Sequence, residues 1–130
     1  MTSSDNTLDG NGQGIAVASG GSATVFGTII ANSGTASCSA PVTTDNGYNL
    51  DHKSGETDPC GFSTAAHDVV ETNPQLGPLQ NNGGGTDTEA ILAGSPAHDV
   101  IPAASCPATD QRGVSRPQPA SATFLSWQCT

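Results

Sequence analysis

The two longest apolar runs in this chain are cut short by glycine, asparagine or serine before either can complete a helix. Ile15-Ala16-Val17-Ala18 ends at Gly20-Gly21. Ala23-Thr24-Val25-Phe26-Gly27-Thr28-Ile29-Ile30-Ala31 ends at Asn32-Ser33-Gly34. Both runs are β-branched, and both are bounded by residues that favour turns, so they predict short strands. Glycine at this spacing breaks each candidate helical window.

The connections read as coils rather than hairpins. Leu8, Ile15, Val25 and Ile29 recur between Asn/Gly corners without a two-residue Asn-Gly turn between strands. A chain that stacks coil upon coil needs few large aliphatics, because small residues fill its narrow interior. Here composition matters. Leu, Ile, Val and Phe supply 21 of 130 residues, and the formal net charge is −9. Those values alone suggest disorder, but a solenoid shows the same balance. With Lys53, Arg112 and Arg116 as its only basic side chains, the chain cannot neutralise a run of phosphates, which excludes nucleic acid as a partner. No stretch reaches 18 apolar residues, so no membrane span is expected. Residues 1–14 carry neither a basic nor an apolar signal region, so no targeting signal is expected in this chain.

Further along, residues 33–64 are loop-like, and three modest apolar clusters follow at Val69-Val70, Leu76–Leu79 and Ala90-Ile91-Leu92. From Pro102 the sequence is irregular and Pro-rich. The run Gly83-Gly84-Gly85-Thr86 lacks the lysine of a phosphate loop and reads as a turn.

Several of these segments, taken in order, resemble one known family. They are Gly27-Thr28-Ile29-Ile30-Ala31-Asn32, Gly47-Tyr48-Asn49-Leu50, Asn73-Pro74-Gln75-Leu76-Gly77-Pro78-Leu79, Asn82-Gly83-Gly84-Gly85-Thr86, Gly94-Ser95-Pro96-Ala97 and Cys106-Pro107-Ala108-Thr109-Asp110-Gln111-Arg112-Gly113. From about residue 5 to Gln118 the chain resembles the C-terminal part of the bacterial choice-of-anchor Q proteins. The resemblance implies an exported, all-β protein with a right-handed parallel β-helix related to pectate-lyase-like solenoids. About two or three coils are expected here, closed by an irregular, disulfide-stabilised cap. The corresponding division is 1–36 for the last coils, 37–118 for the cap region and 119–130 for an atypical tail. Pro119–Thr130 departs from the Asp-Ile-Gly-Ala-Phe-Glu-like strand with which the family ends, and His98 stands where the family carries an aliphatic. The parent protein is expected outside the cell or on its surface.

The even cysteine count fits an oxidising compartment. One pairing joins Cys38 to Cys60 and leaves Cys106 with Cys129, although four cysteines allow three pairings. A bridge between Cys38 and Cys60 contributes roughly 3 kcal/mol in the loop-entropy picture.

Two functional readings follow. The leading one is a structural or adhesive cap module that contacts glycans. The alternative is a small metal-dependent hydrolase of esters or phosphoesters. Ala66-His67-Asp68-Val69 and Ala97-His98-Asp99-Val100 repeat one tetrapeptide 31 residues apart, and Asp51-His52 is a third acid–imidazole pair. His67, His98 and His52 are therefore the candidate ligands for zinc or manganese, and Asp68, Asp99 and Glu71 the candidate catalytic carboxylates. A helix through this segment would place His67 and Glu71 on one face. A polysaccharide lyase or hydrolase fragment is a further alternative, weakened by the shortage of basic residues. Tyr48 and Trp127 read as too isolated for a sugar-stacking platform. A solenoid opened at one end exposes strand edges, so self-association through residues 5–32 is expected.

Overall fold

The computed structural model describes residues 2–4, 7–10, 14–33, 36–52 and 59–116, with backbone alone for 2–10 and Asn32. Its regular elements are all strands and single 3-10 turns. They are β1 (Thr2–Ser4), β2 (Thr7–Gly10), β3 (Thr24–Phe26), β4 (Ile29–Ser33), β5 (Thr44–Asp45) and β6 (Leu50–His52), followed by 3-10 turns at Thr64–Ala66 and Ala103–Ser105. The class is all-β, as the β-branched runs predict.

Two compact units divide the chain between Asn73 and Pro74. In the first, β1, β3 and β5 form one three-stranded sheet, and β2, β4 and β6 form another. Every pairing in both sheets is parallel. Each stretch of chain lays its strands on those of the stretch before. The cross-connections have a steady offset: Val17 to Ser39 spans 22 residues, Ala23 to Thr43 spans 20, Thr28 to Asn49 spans 21 and Asn49 to Asp68 spans 19. We call each such stretch a rung.

Isolated parallel bridges at Ile15–Cys38 and Leu50–Val69 continue the stacking. The parallel pairing therefore runs beyond residue 36, and the expected 36/37 boundary falls inside the first unit. Ile15, Ala23, Val25, Ile30, Cys38, Cys60 and Phe62 form its core, with Val17, Val42 and Val70 packed against them. Ile29 and Ile30 are successive residues of β4, and both are fully buried. Successive strand residues point to opposite faces, so both faces of β4 are covered. The Cys38–Cys60 disulfide spans 22 residues, the same offset that separates adjacent rungs.

The second unit pairs its strand-like segments antiparallel, at Leu76–Ile91, Gln80–Thr88 and Thr109–Ser115. Its buried apolar residues are Ala90, Ile91, Ala97 and Ile101. Asn81–Asp87 makes the turn between Gln80 and Thr88. Asn82 Nδ2 holds the far side of that turn by donating to Thr88 O at 2.7 Å and to its Oγ1 at 3.2 Å. Cys106 is disulfide-bonded as well. Its expected partner, Cys129, lies outside the described residues, as does the 119–130 tail.

Candidate functional site

One corner of the first unit is built three times over. Gly27-Thr28-Ile29, Tyr48-Asn49-Leu50 and His67-Asp68-Val69 occupy equivalent places on successive rungs, each ending in a residue of the parallel ladder Ile29–Leu50–Val69. The first residue of each triplet has a left-handed backbone, with φ of 52° at Gly27, 58° at Tyr48 and 65° at His67. Glycine adopts this conformation freely, whereas a bulky residue does so at a cost of about 1–3 kcal/mol. At Tyr48 and His67 packing offsets that cost. Their rings stack at 5.1 Å with an interplanar angle of 11°, and Phe26 meets Tyr48 edge-on at 6.1 Å. Tyr48 N–H also donates to Ala66 O at 3.1 Å. The expectation that Tyr48 is isolated is thus corrected, because the parallel stacking gives it one ring above and one below.

The second residue of each triplet points inward. Thr28 and Asn49 are fully buried, and Asp68 is nearly so. The Asn49 and Asp68 side chains serve the rung before them: Asn49 Oδ1 accepts from Thr28 N–H at 3.1 Å, and Asp68 Oδ1 accepts from Asn49 N–H at 2.7 Å. Buried backbone donors left without partners are costly, so this polar column is what lets the corner repeat. Asp68 Oδ2 accepts from Ser63 N–H at 3.0 Å. From β5, Asp45 Oδ1 accepts Gly47 N–H at 2.8 Å and Asn49 Nδ2–H at 2.9 Å. Gly47 has φ of +87°, and a Cβ there would collide with the Ala66 carbonyl.

Burial pushes the Asp68 carboxyl up to about 6 from its ordinary 3.8, aided by a hydrogen bond with the Asp45 side chain and opposed by the N–H groups of Asn49 and Ser63. Of the candidate catalytic carboxylates, Asp68 is the one set in a specific polar environment. Asp99 and Glu71 are exposed. Residues 67–71 form no helix, and both His67 and Glu71 have left-handed backbones, so the single helical face expected for them does not exist.

The repeated tetrapeptide is used in two different ways. In the first copy His67 is left-handed and exposed while Asp68 is buried. In the second copy Asp99 is the left-handed residue, with φ of 52°. There the half-buried His98 ring sets Nε2 3.0 Å from Leu92 O, within its own unit. That geometry fits the tautomer with Nε2–H donating. His52 ends β6, half-buried. Among the described residues, no group of three or more His, Cys, Asp or Glu is arranged to hold a metal ion.

The residues missed by sequence reading are Asp45, Asn49 and Ser63, the partners of Asp68. The signal was present in the offset of the three triplets, which aligns Thr28, Asn49 and Asp68. No family model, curated protein or solved structure matches the chain.

Proposed function

We propose that this chain is the terminal part of a right-handed parallel β-helix of the choice-of-anchor Q kind, serving an exported protein as a structural and adhesive module that contacts glycans. The observation carrying this reading is the threefold corner, with its left-handed Gly27/Tyr48/His67 column and its inward Thr28/Asn49/Asp68 column. Parallel strands joined within one sheet need a crossover, and such crossovers are right-handed in nearly all proteins, which supports the handedness. The buried disulfide between rungs supports an oxidising location outside the cell.

Glycan contact is assigned to the Phe26–Tyr48–His67 corner. Aromatic surfaces take the apolar faces of sugars, while carboxyl and amide groups take hydroxyls. Half-buried Asp45 and exposed Asn46 precede Tyr48 in the chain, and the Asp45 carboxylate accepts from Gly47 and Asn49. The test is an NMR titration of the labelled protein with neutral, amino-sugar and uronic-acid oligosaccharides. Shift changes centred on Tyr48 and His67, lost in Tyr48→Ala, are expected. A spectrum unmoved by all three classes overturns the glycan contact. Stoichiometric zinc or manganese in the purified protein, with hydrolase activity lost in His67→Ala or His98→Ala, would put the metal-dependent hydrolase in its place.

Self-association belongs to the same proposal. β1 and β2 are the outer strands of their sheets, and among the described residues nothing pairs with their outer edges. Unpaired strand edges favour pairing with another chain. Light scattering at micromolar concentration should give a mass above the 12.9 kDa of one chain. A strictly monomeric mass refutes this part.

A further inference from the structure

Among the described residues the dipeptide Asn-Gly occurs twice, once in each compact unit, and its two turns are built alike. Asn46-Gly47 follows β5, and Asn82-Gly83 lies between Gln80 and Thr88. Both glycines have left-handed backbones, with φ of 87° at Gly47 and 93° at Gly83. In both turns the glycine N–H donates to the side chain two residues before it, to Asp45 Oδ1 at 2.8 Å and to Asn81 Oδ1 at 2.9 Å.

An asparagine can close on the backbone nitrogen that follows it, and glycine offers the least obstruction because it has no Cβ. Two differences decide which turn permits that closure. The Asn82 side chain is tied at both ends: Nδ2 donates to Thr88 O and Oγ1, and Oδ1 accepts from Gln80 Nε2–H at 3.1 Å. Asn46 is exposed, and among the described residues no hydrogen bond ties its side-chain amide. The second difference is the acceptor. Asn81 presents a neutral amide oxygen, whereas Asp45 presents a carboxylate, which can take up a proton. Resonance keeps the peptide planar, so the Gly47 N–H points toward Asp45 within that plane while the attacking electrons stand perpendicular to it. The hydrogen bond therefore does not occupy the reacting face of the nitrogen.

We propose that Asp45-Asn46-Gly47 is a self-modifying turn that converts Asn46 to an acid. Gly47 N attacks Asn46 Cγ while Asp45 Oδ1 takes the Gly47 proton. The N–Cγ bond forms, the Cγ–Nδ2 bond breaks, and Nδ2 leaves as ammonia with the proton that Asp45 received. Water then opens the cyclic imide at either carbonyl. The product is an aspartyl side chain on the ordinary backbone, or a backbone routed through Cγ and one methylene longer. Both products add a negative charge two residues before Tyr48. The longer backbone also displaces Gly47, whose C=O accepts from Gly27 N–H at 3.1 Å and which packs against the Ala66 carbonyl. The proposal rests on the turn's own geometry and does not depend on the glycan reading.

The test follows the full chain in neutral buffer by peptide mapping and mass spectrometry, with enzymatic isoaspartate methylation to detect the longer backbone. Conversion at Asn46 should outrun conversion at Asn82 by about tenfold or more. In Asp45→Asn the side-chain oxygen still accepts from Gly47 and Asn49, so the turn is kept and the base is removed. Conversion at Asn46 should then fall about tenfold. Equal rates at Asn46 and Asn82 in the folded wild type overturn the proposal, as does an Asn46 rate that Asp45→Asn leaves unchanged or raises. Should Asp45→Asn fail to fold, the wild type decides alone: the excess at Asn46 should hold in buffer and vanish in denaturant, and an excess that persists in denaturant overturns the role of the fold.

Discussion

Among the described residues, a buried aspartate stands at a turn in each compact unit, Asp68 in the first and Asp110 in the second, and the two are held by opposite company. Asp68 in the first unit sits beside another acid. Asp110 in the second is gripped by Arg112, with Nη2 2.6 Å and Nε 2.8 Å from Oδ2, while Arg112 N–H and Val114 N–H donate to its Oδ1. Burial works to raise the Asp110 carboxyl. The Val114 N–H and the Arg112 guanidinium and N–H outweigh it and hold the group below its ordinary 3.8. Both aspartates do the same structural work of capping backbone donors at a turn. What differs is the charge each neighbourhood favours: the amides and Arg112 favour the Asp110 anion, whereas burial disfavours the Asp68 anion. The lesson is that capping geometry and ionisation preference are set by different neighbours.

The comparison breaks most easily at the covalent link. Replacing Cys38 and Cys60 together with alanine removes a 22-residue closure and should cost the first unit about 3 kcal/mol. Denaturant titration followed by residue-resolved hydrogen exchange should show the loss among residues 14–73 and leave residues 74–116 unmoved. Gly47→Ala should cost nearly as much, about 3 kcal/mol, because the left-handed backbone disfavours a side chain and the Ala66 carbonyl fills the space. Its chemical denaturation midpoint reports the loss directly.

A smaller effect is expected in the second unit. Arg112→Ala should cost about 2 kcal/mol by removing a charge-assisted hydrogen bond from a buried carboxylate. It also removes the Nη1–H donor to Asn82 O at 3.3 Å, so protection should fall around the Asn81–Asp87 turn.

The smallest effects, and the sharpest for the comparison, come from pH. The folded pKa of Asp68 is raised, so its stabilisation is complete below 3.8 and is lost as pH rises through about 6. The folded pKa of Asp110 is lowered, so its stabilisation is present above 3.8 and is lost as pH falls below that value. Exchange protection in the two units should therefore decline at opposite ends of a scan from pH 2.5 to 7.5. Parallel declines in both units would refute the assignment.

Much of the first unit was legible in the sequence, because its strands are local and β-branched. Ile15, Val25, Ile29 and Ile30 all lie in the predicted strands and are all buried. The coil-like spacing of those residues also anticipated that pairing would be parallel. The antiparallel pairing of Leu76 with Ile91 was not legible. It rests on an isolated bridge rather than a continuous alternating strand, and the intervening Gly/Asn turn is too long to carry a two-residue hairpin signal. Asp68 was singled out for its histidine neighbour, whereas its environment comes from Asp45, Asn49 and Ser63. Those residues are brought together by the rung offset, which a local motif does not reveal. The tetrapeptide repeat misled for the same reason, since identical text took its left-handed turn one residue later in the second copy.

The threefold corner separates what holds the chain from what the chain presents. Thr28, Asn49 and Asp68 lock the backbone from within, so residues 27, 48 and 67 lie on a column where glycine, tyrosine and histidine have all been accommodated. Such a column is a register of interchangeable letters on a fixed page. A new ring or a new charge at exposed position 67 would alter what the surface says while leaving the polar spine that holds it untouched.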